Sequence, residues 1–217
     1  MVDFFFIRHA ESTGNVNNHL IGGRSDHFLL TERGEIQAKK LGERLAVEGV
    51  QFDKIFSSVA IRAKETARIA CLASLQDFSQ VVLDERLVES SQGIWEGQVR
   101  ARILNTQVRE QIKADPHNFQ PPGGESQGQV EQRMFNWLLE HLDQQEGKQV
   151  KIAVFSHGMA IKCLLRKITQ ASYHLPRNMI IHNTSITRIF FNSSEWLVER
   201  INDHSHLNEV GFIQHYG

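Results

Sequence analysis

Two histidines and two arginines in this chain are spaced so that one anion could be gripped and attacked. Arg8-His9 follows the apolar run Phe4-Phe5-Phe6-Ile7. Ser156-His157-Gly158 follows a second run, Ile152-Ala153-Val154-Phe155, and Ser57-Ser58 leads from a third apolar segment toward Arg62. An arginine fork matches phosphate oxygens in charge and in shape. Gly158 stands at a helix start, where free backbone N–H groups favour an anion.

Those residues need a scaffold that brings three chain segments to one edge. Short continuous apolar runs read as buried strands, here at residues 4–7, 52–56, 81–83 and 152–155. Further strands are expected at 179–181, 186–191 and 196–201. Between them lie helical patterns. Thr31 can cap a helix carrying Ala38, Leu41 and Leu45, with Gly49 as its stop. Residues 60–75, 95–112, 126 to about 145, and 158 to about 168 have helical spacing as well. Residues 11–30 and the proline-rich stretch 115–124 read as loops. Strands alternating with helices predict an α/β fold, a three-layer α/β/α sandwich with a mostly parallel sheet, formed as a single domain over residues 1–217. In such sheets ligands bind at the carboxyl ends of the strands, where Arg8, His9, Ser57 and His157 fall.

Composition excludes other classes. The 217 residues include 24 Lys+Arg and 25 Asp+Glu, a balance with no electrostatic footprint for nucleic acid or an acidic membrane surface. The amino-terminal apolar run is too short for a signal peptide, and no stretch is long enough to span a bilayer, so a cytoplasmic enzyme is expected. Cys71 and Cys163 lie in apolar helical patterns and read as buried free thiols. The chain has 11 histidines, but only His204-Ser205-His206 and the pair His9/His157 suggest a metal, and no cysteine cluster or zinc-protease motif accompanies them.

The segment Arg8-His9-Ala10-Glu11-Ser12, with Asn15 close behind, resembles the signature of the histidine phosphatase superfamily, the phosphoglycerate-mutase-like group. Ser57-Ser58-Val59-Ala60-Ile61-Arg62 and Ser156-His157-Gly158 are similar to its second and third motifs, and the matches fall in family order along nearly the whole chain. The resemblance implies that His9 attacks phosphorus and becomes phosphohistidine, while Arg8, Arg62, His157 and Asn15 hold the phosphoryl oxygens. It implies a general acid in Arg86-Leu87-Val88-Glu89, where Glu89 matches the family position and Glu85 is the local competitor. It calls for no metal and no cofactor. Gly22 could approach the phosphate closely or merely form a turn with Gly23. Residues 90–125 are expected to form part of a cover over the site. Asp26-His27-Phe28-Leu29-Leu30-Thr31 is one residue longer than the usual family stretch and lacks its proline.

Family membership alone leaves three functions open. The first is a metal-independent phosphatase acting on a small phosphorylated metabolite, favoured by Gly93-Ile94-Trp95-Glu96-Gly97. The second is a cofactor-dependent phosphoglycerate mutase, for which Arg100 and Arg102 are available cations. The third is a non-catalytic scaffold binding a phosphorylated ligand.

Overall fold

Strict alternation in the first strand sets the layering of the molecule. The computed structural model describes residues 1–143, 150–192 and 194–208. The chain runs β1 (Val2–Arg8), α1 (Thr13–Val16), α2 (Glu32–Val47), β2 (Lys54–Ser57), α3 (Ile61–Ala73), β3 (Val81–Leu83), α4 (Arg100–Ile103), α5 (Thr106–Ala114), α6 (Gln127–Asp143), β4 (Val150–Ser156), α7 (Gly158–Thr169), α8 (Leu175–Asn178), β5 (Ile186–Phe191) and β6 (Trp196–Asp203). Successive strand side chains point to opposite faces. Phe4 and Phe6 of β1 therefore pack with Met134, Trp137 and Leu138 of α6 and Leu164 of α7. Phe5 and Ile7 pack on the other face with Leu41 and Leu45 of α2 and Ala67 and Cys71 of α3. The result is the expected three-layer α/β/α sandwich.

The sheet order is β3-β2-β4-β1-β5-β6. The first four strands are parallel, and β5 and β6 add two antiparallel pairings at one side, so the sheet is mixed. Register matters most for the site. Arg8 lies opposite Ser156, and Ser57 lies opposite Phe155, which levels the carboxyl ends of β1, β4 and β2. The ladder continues one residue further: His9 N–H donates to Ser156 O at 2.9 Å, and Ser58 N–H donates to Phe155 O at 2.9 Å.

Four expectations change. The helix foreseen over 95–112 is broken into a short 3-10 turn and the separate helices α4 and α5. Gly93 and Gly97 take positive φ, and Asn105 starts α5 afresh by accepting Val108 N–H on its side chain at 3.0 Å. Residues 179–181 form no strand; they follow α8, which begins with Pro176 in its first turn. The second strand is Lys54–Ser57 instead of residues 52–56, and α1 interrupts the loop over 11–30. Thr31 does cap α2, Gly49 does end it in a left-handed conformation, and both cysteines are buried and free. Ser126 opens α6 through a reciprocal pair with Gln129; the expected end near residue 145 lies outside the described residues.

The helices α2 and α3 touch at Gly42, where an added Cβ would stand 2.4 Å from Ala70 O and 2.6 Å from the Ala73 Cβ. Gly42→Ala is expected to push the pair apart and lower stability by about 1–3 kcal/mol, read as a lower urea midpoint; an unchanged midpoint would mean that the two helices can separate freely.

Candidate active site

Each strand end delivers one reactive side chain, and the loop after α8 locks the first of them. Arg8 Nη1 donates to Ile181 O at 2.6 Å, Thr184 N–H donates to Arg8 O at 3.0 Å, and Arg8 N–H donates to Ser185 O at 3.3 Å. Asn183 Nδ2 donates to His9 O at 2.8 Å. The Arg8 Nε–H is buried with no protein acceptor, so it is free to meet a ligand.

His9 is only 4% exposed. Its Nδ1 lies 2.7 Å from Ala10 O. A carbonyl oxygen can only accept, so Nδ1 carries the hydrogen and Nε2 keeps its lone pair. Ala10 is itself fixed: its N–H donates to Thr66 Oγ1 at 2.9 Å, and that hydroxyl donates to Arg62 O at 2.6 Å. Burial, then the charges of Arg62 and Arg8, hold His9 well below the ordinary histidine pKa. The ring is neutral, with its Nε2 lone pair in a cationic pocket.

Arg62, in the first turn of α3, is also 4% exposed. Its two terminal nitrogens donate to Ser25 O at 2.9 Å and Gly23 O at 3.0 Å. Gly23 has φ +79°, and a Cβ there would meet Glu96 Oε1 at 2.5 Å. A Cβ on Gly22 would meet nothing within 4 Å. The glycine that this turn requires is thus Gly23, whereas the sequence directed attention to Gly22.

His157 is fully buried, with its ring centroid 5.1 Å from that of His9. Its Nε2 is 2.9 Å from Ser58 Oγ, which already accepts Ala60 N–H at 3.2 Å. His157 Nδ1 is buried with no protein partner, and it carries the hydrogen when Ser58 donates its own to Nε2. Burial, Arg62, His9 and Arg8 keep His157 well below its ordinary pKa. Asn15 Oδ1 accepts from Ser12 N at 3.0 Å and from Asn183 Nδ2 at 3.2 Å, so its own amide nitrogen is its remaining donor.

Glu89 sits at the amino end of α7. Its carboxylate accepts Ser90 N–H at 2.8 Å, Met159 N–H at 3.1 Å and Ala160 N–H at 3.2 Å. Its backbone carbonyl accepts from Arg24 Nε and Arg133 Nη2, each at 3.1 Å. Both arginines ion-pair with Glu125, which ties the loop before α6 to the same point. Glu89 and Arg62 line one cavity of about 190 Å³. Glu85 lines it too, but on an exposed turn.

Asn183, Thr184, Ser58 and Thr66 were not singled out as positioning groups by sequence reasoning. The available signal was the polar run His182-Asn183-Thr184-Ser185 before β5, whose last three residues are buried. The pair His204/His206 serves structure: His206 Nε2 is 3.0 Å from Thr184 Oγ1, and His204 Nδ1 is 2.8 Å from Asn202 O. Among the described residues, no group of three or more His, Cys, Asp or Glu side chains is arranged to hold a metal ion, and no helix is long and apolar enough to cross a membrane.

The sequence pattern of the histidine phosphatase superfamily (branch 1) matches residues 4–204. The probable phosphoglycerate mutase GpmB of Salmonella paratyphi B is 32% identical over 215 residues, 96% of each chain. Among solved structures, YhfR of Bacillus stearothermophilus is similar with a TM-score of 0.82 and 30% identity, covering 96% of this chain and 100% of that one. A mutant phosphoserine phosphatase from Entamoeba histolytica, in complex with phosphoserine, gives a TM-score of 0.80 and 25% identity, covering 95% and 100%.

The two depressed histidines carry a stability consequence. In the unfolded chain each protonates near pH 6.5, while in the folded chain each stays neutral well below that pH. The unfolded state then binds more protons, so their effect is nil above about pH 6.5 and stability is lost as pH falls below it, by at most about 1.4 kcal/mol per pH unit for each ring. His157→Gln is expected to flatten the fall in stability between about pH 6.5 and pH 5 in phosphate-free buffer. Parallel curves for variant and wild type would contradict the neutral, buried state of that ring.

Proposed function

The chain belongs to the histidine phosphatase superfamily, whose members and relatives are phosphoryl transferases, and we propose that it is a metal-independent phosphatase acting on a small phosphomonoester through a phosphohistidine on His9. The observation that carries this reading is the Nδ1–H bond from His9 to Ala10 O, which leaves the Nε2 lone pair free in a pocket charged by Arg62 and Arg8. Position and charge supply most of the catalysis of phosphoryl transfer. Arg8, Arg62, the Nδ1–H of His157 and the amide of Asn15 supply both, which is why no metal is required.

In the first step the His9 Nε2–P bond forms as the P–O bond to the leaving group breaks. Glu89 gives its proton to the departing oxygen. Glu89 is the better candidate than Glu85 because its carboxylate is held in place by three backbone N–H groups at the cavity wall. In the second step water attacks phosphorus, its proton goes to the Glu89 carboxylate, and the Nε2–P bond breaks to release phosphate. Residues 90–125 would cover the site; they are anchored there by Arg100, whose Nε donates to Asn18 O at 3.0 Å, and by the Arg24–Glu125 pair.

The likeness to GpmB keeps a second reading in view, in which the phosphoryl group returns to a bound phosphoglycerate instead of passing to water. Product analysis separates the two. Wild-type protein with an aryl phosphate and excess chelator is expected to release inorganic phosphate, and His9→Ala is expected to lower kcat by about three orders of magnitude or more. Rapid quenching with labelled substrate should trap an acid-labile, base-stable phosphoryl group. No turnover by the wild type, or label that persists in His9→Ala, would refute the phosphohistidine route. Interconversion of 2- and 3-phosphoglycerate without net release of phosphate would favour the mutase.

A further inference from the structure

The loop over residues 181–185 holds Arg8, His9 and Asn15 in place. Ile181 O accepts from Arg8 Nη1, Thr184 N–H donates to Arg8 O, and Asn183 Nδ2 donates to both His9 O and Asn15 Oδ1. Thr184 is fully buried and sits at φ +55°, a conformation that a β-branched residue adopts only where its surroundings impose it. Two of the groups that impose it come from the end of β6 and the turn after it. Asn202 Oδ1 accepts His182 N–H at 2.6 Å, and His206 Nε2 lies 3.0 Å from Thr184 Oγ1.

His206 stands in the 3-10 turn Ser205–Leu207, which packs on α2. Its Nδ1 faces Arg44 Nη1 at 3.5 Å, and Arg44 is itself held by Asp203 at 2.6 Å and by Glu48 at 2.7 Å. A guanidinium has only donors, so Nδ1 is the accepting nitrogen and the neutral ring carries its hydrogen on Nε2. The Thr184 hydroxyl donates to Asn183 O at 2.8 Å, which leaves Oγ1 to accept from Nε2–H. Burial, then the charge of Arg44, push the His206 pKa down to about 4 against the pull of Asp203, so the ring is neutral at neutral pH. The hydrogen bonds thus run one way, from Arg44 through His206 and Thr184 to the carbonyl of Asn183, whose amide holds His9 O. Leu207, the next residue, is the one buried in the core.

We propose that His206 is a positioning residue of the phosphoryl pocket: its bond to Thr184 fixes the loop that orients Arg8, His9 and Asn15. It acts through Thr184, from the far end of the chain. The inference rests on the phosphoryl-transfer reading of His9, and it gives a role to a histidine that the sequence suggested only as a metal ligand. A side chain needed for packing alone would tolerate replacement by any amide of similar size. One needed for this bond requires an N–H donor at the Nε2 position.

Substitutions at His206 separate the bond from the packing. The amide of Gln can place a donor where Nε2 stands, the shorter Asn places its amide near Nδ1, and Ala supplies neither. With an aryl phosphate, His206→Ala and His206→Asn are expected to lower kcat about tenfold, and His206→Gln to stay within about threefold of the wild type. Affinity for inorganic phosphate, measured by calorimetry, should fall in the same order. Thr184→Ala removes the acceptor, so in that background His206→Ala should change kcat by less than about twofold. Equal losses in the Gln and Ala variants, a His206→Ala effect that survives Thr184→Ala in full, or a lower urea midpoint with kcat unchanged would overturn the proposal. Failure of the phosphatase reading shows elsewhere, as absent aryl phosphate turnover by the wild type with the order of phosphate affinities intact.

Discussion

The site depends on one hydrogen bond, from His9 Nδ1–H to the carbonyl of Ala10, the next residue in the chain. It selects the tautomer, aims Nε2, and does so with a backbone acceptor that cannot rotate away. Everything around it keeps that short link rigid. The ladder bond to Ser156 O holds the His9 backbone, Thr66 holds Ala10, and Asn183 holds the His9 carbonyl. A nucleophile must be both neutral and fixed, and the bond supplies the second property. The first comes from burial and from the charges of Arg62 and Arg8, which make an additional positive charge on the ring unfavourable.

The proposed acid and the second histidine are tied to this arrangement by a single element. His157 precedes α7 and is held through Nε2 by Ser58, while Glu89 rests on the backbone N–H groups of Met159 and Ala160 in the first turn of the same helix. Movement of α7 would carry both groups together. Its other side is fixed by Arg166, which pairs with Glu131 of α6. The core that holds α7 to β1 and β4 thus also sets the distance between His9 and Glu89, so under the proposed mechanism Phe4, Phe6 and Trp137 matter to chemistry that they never touch.

How much of this could be read beforehand follows from which kind of information each feature stores. The strands around residues 4–7, 81–83 and 152–155 were legible because continuous apolar runs have few other uses in a domain of this size. The paired histidines were legible because their position after such runs is itself the signal. The break within 95–112 was not, since apolar spacing continues through it and only Asn105, with Gly93 and Gly97, ends the helices. Gly22 and Gly23 are identical in type, and only backbone conformation separates the one that must be glycine from the one that need not. Asn183 and Thr184 were hidden for a different reason. Polar residues before a strand read as a turn, and their value lies in contacts to positions near the other end of the chain. Thr184 even adopts φ +55°, which costs a β-branched residue energy and is sustained by its bonds to Arg8 O and His206.

The balance of charge explains how a compact pocket can hold so many cations. Carboxylates are plentiful in this chain, but near the entrance they are spent on the walls: Glu125 on Arg24 and Arg133, and Glu96 on the backbone of Arg24 and Gln92. Those links stiffen the rim while leaving Arg8 and Arg62 without an ion-pair contact among the described residues, although the charge of Glu89 acts on both. Any carboxylate placed beside them would compete with phosphate for the same donors. Glu89 avoids this by binding backbone N–H groups, which keeps it at the cavity wall without occupying either guanidinium. Under the proposed mechanism that choice of partner matters, because the group that exchanges a proton with the leaving oxygen acts on Arg8 and Arg62 through its charge without taking the N–H donors that would hold the phosphoryl group.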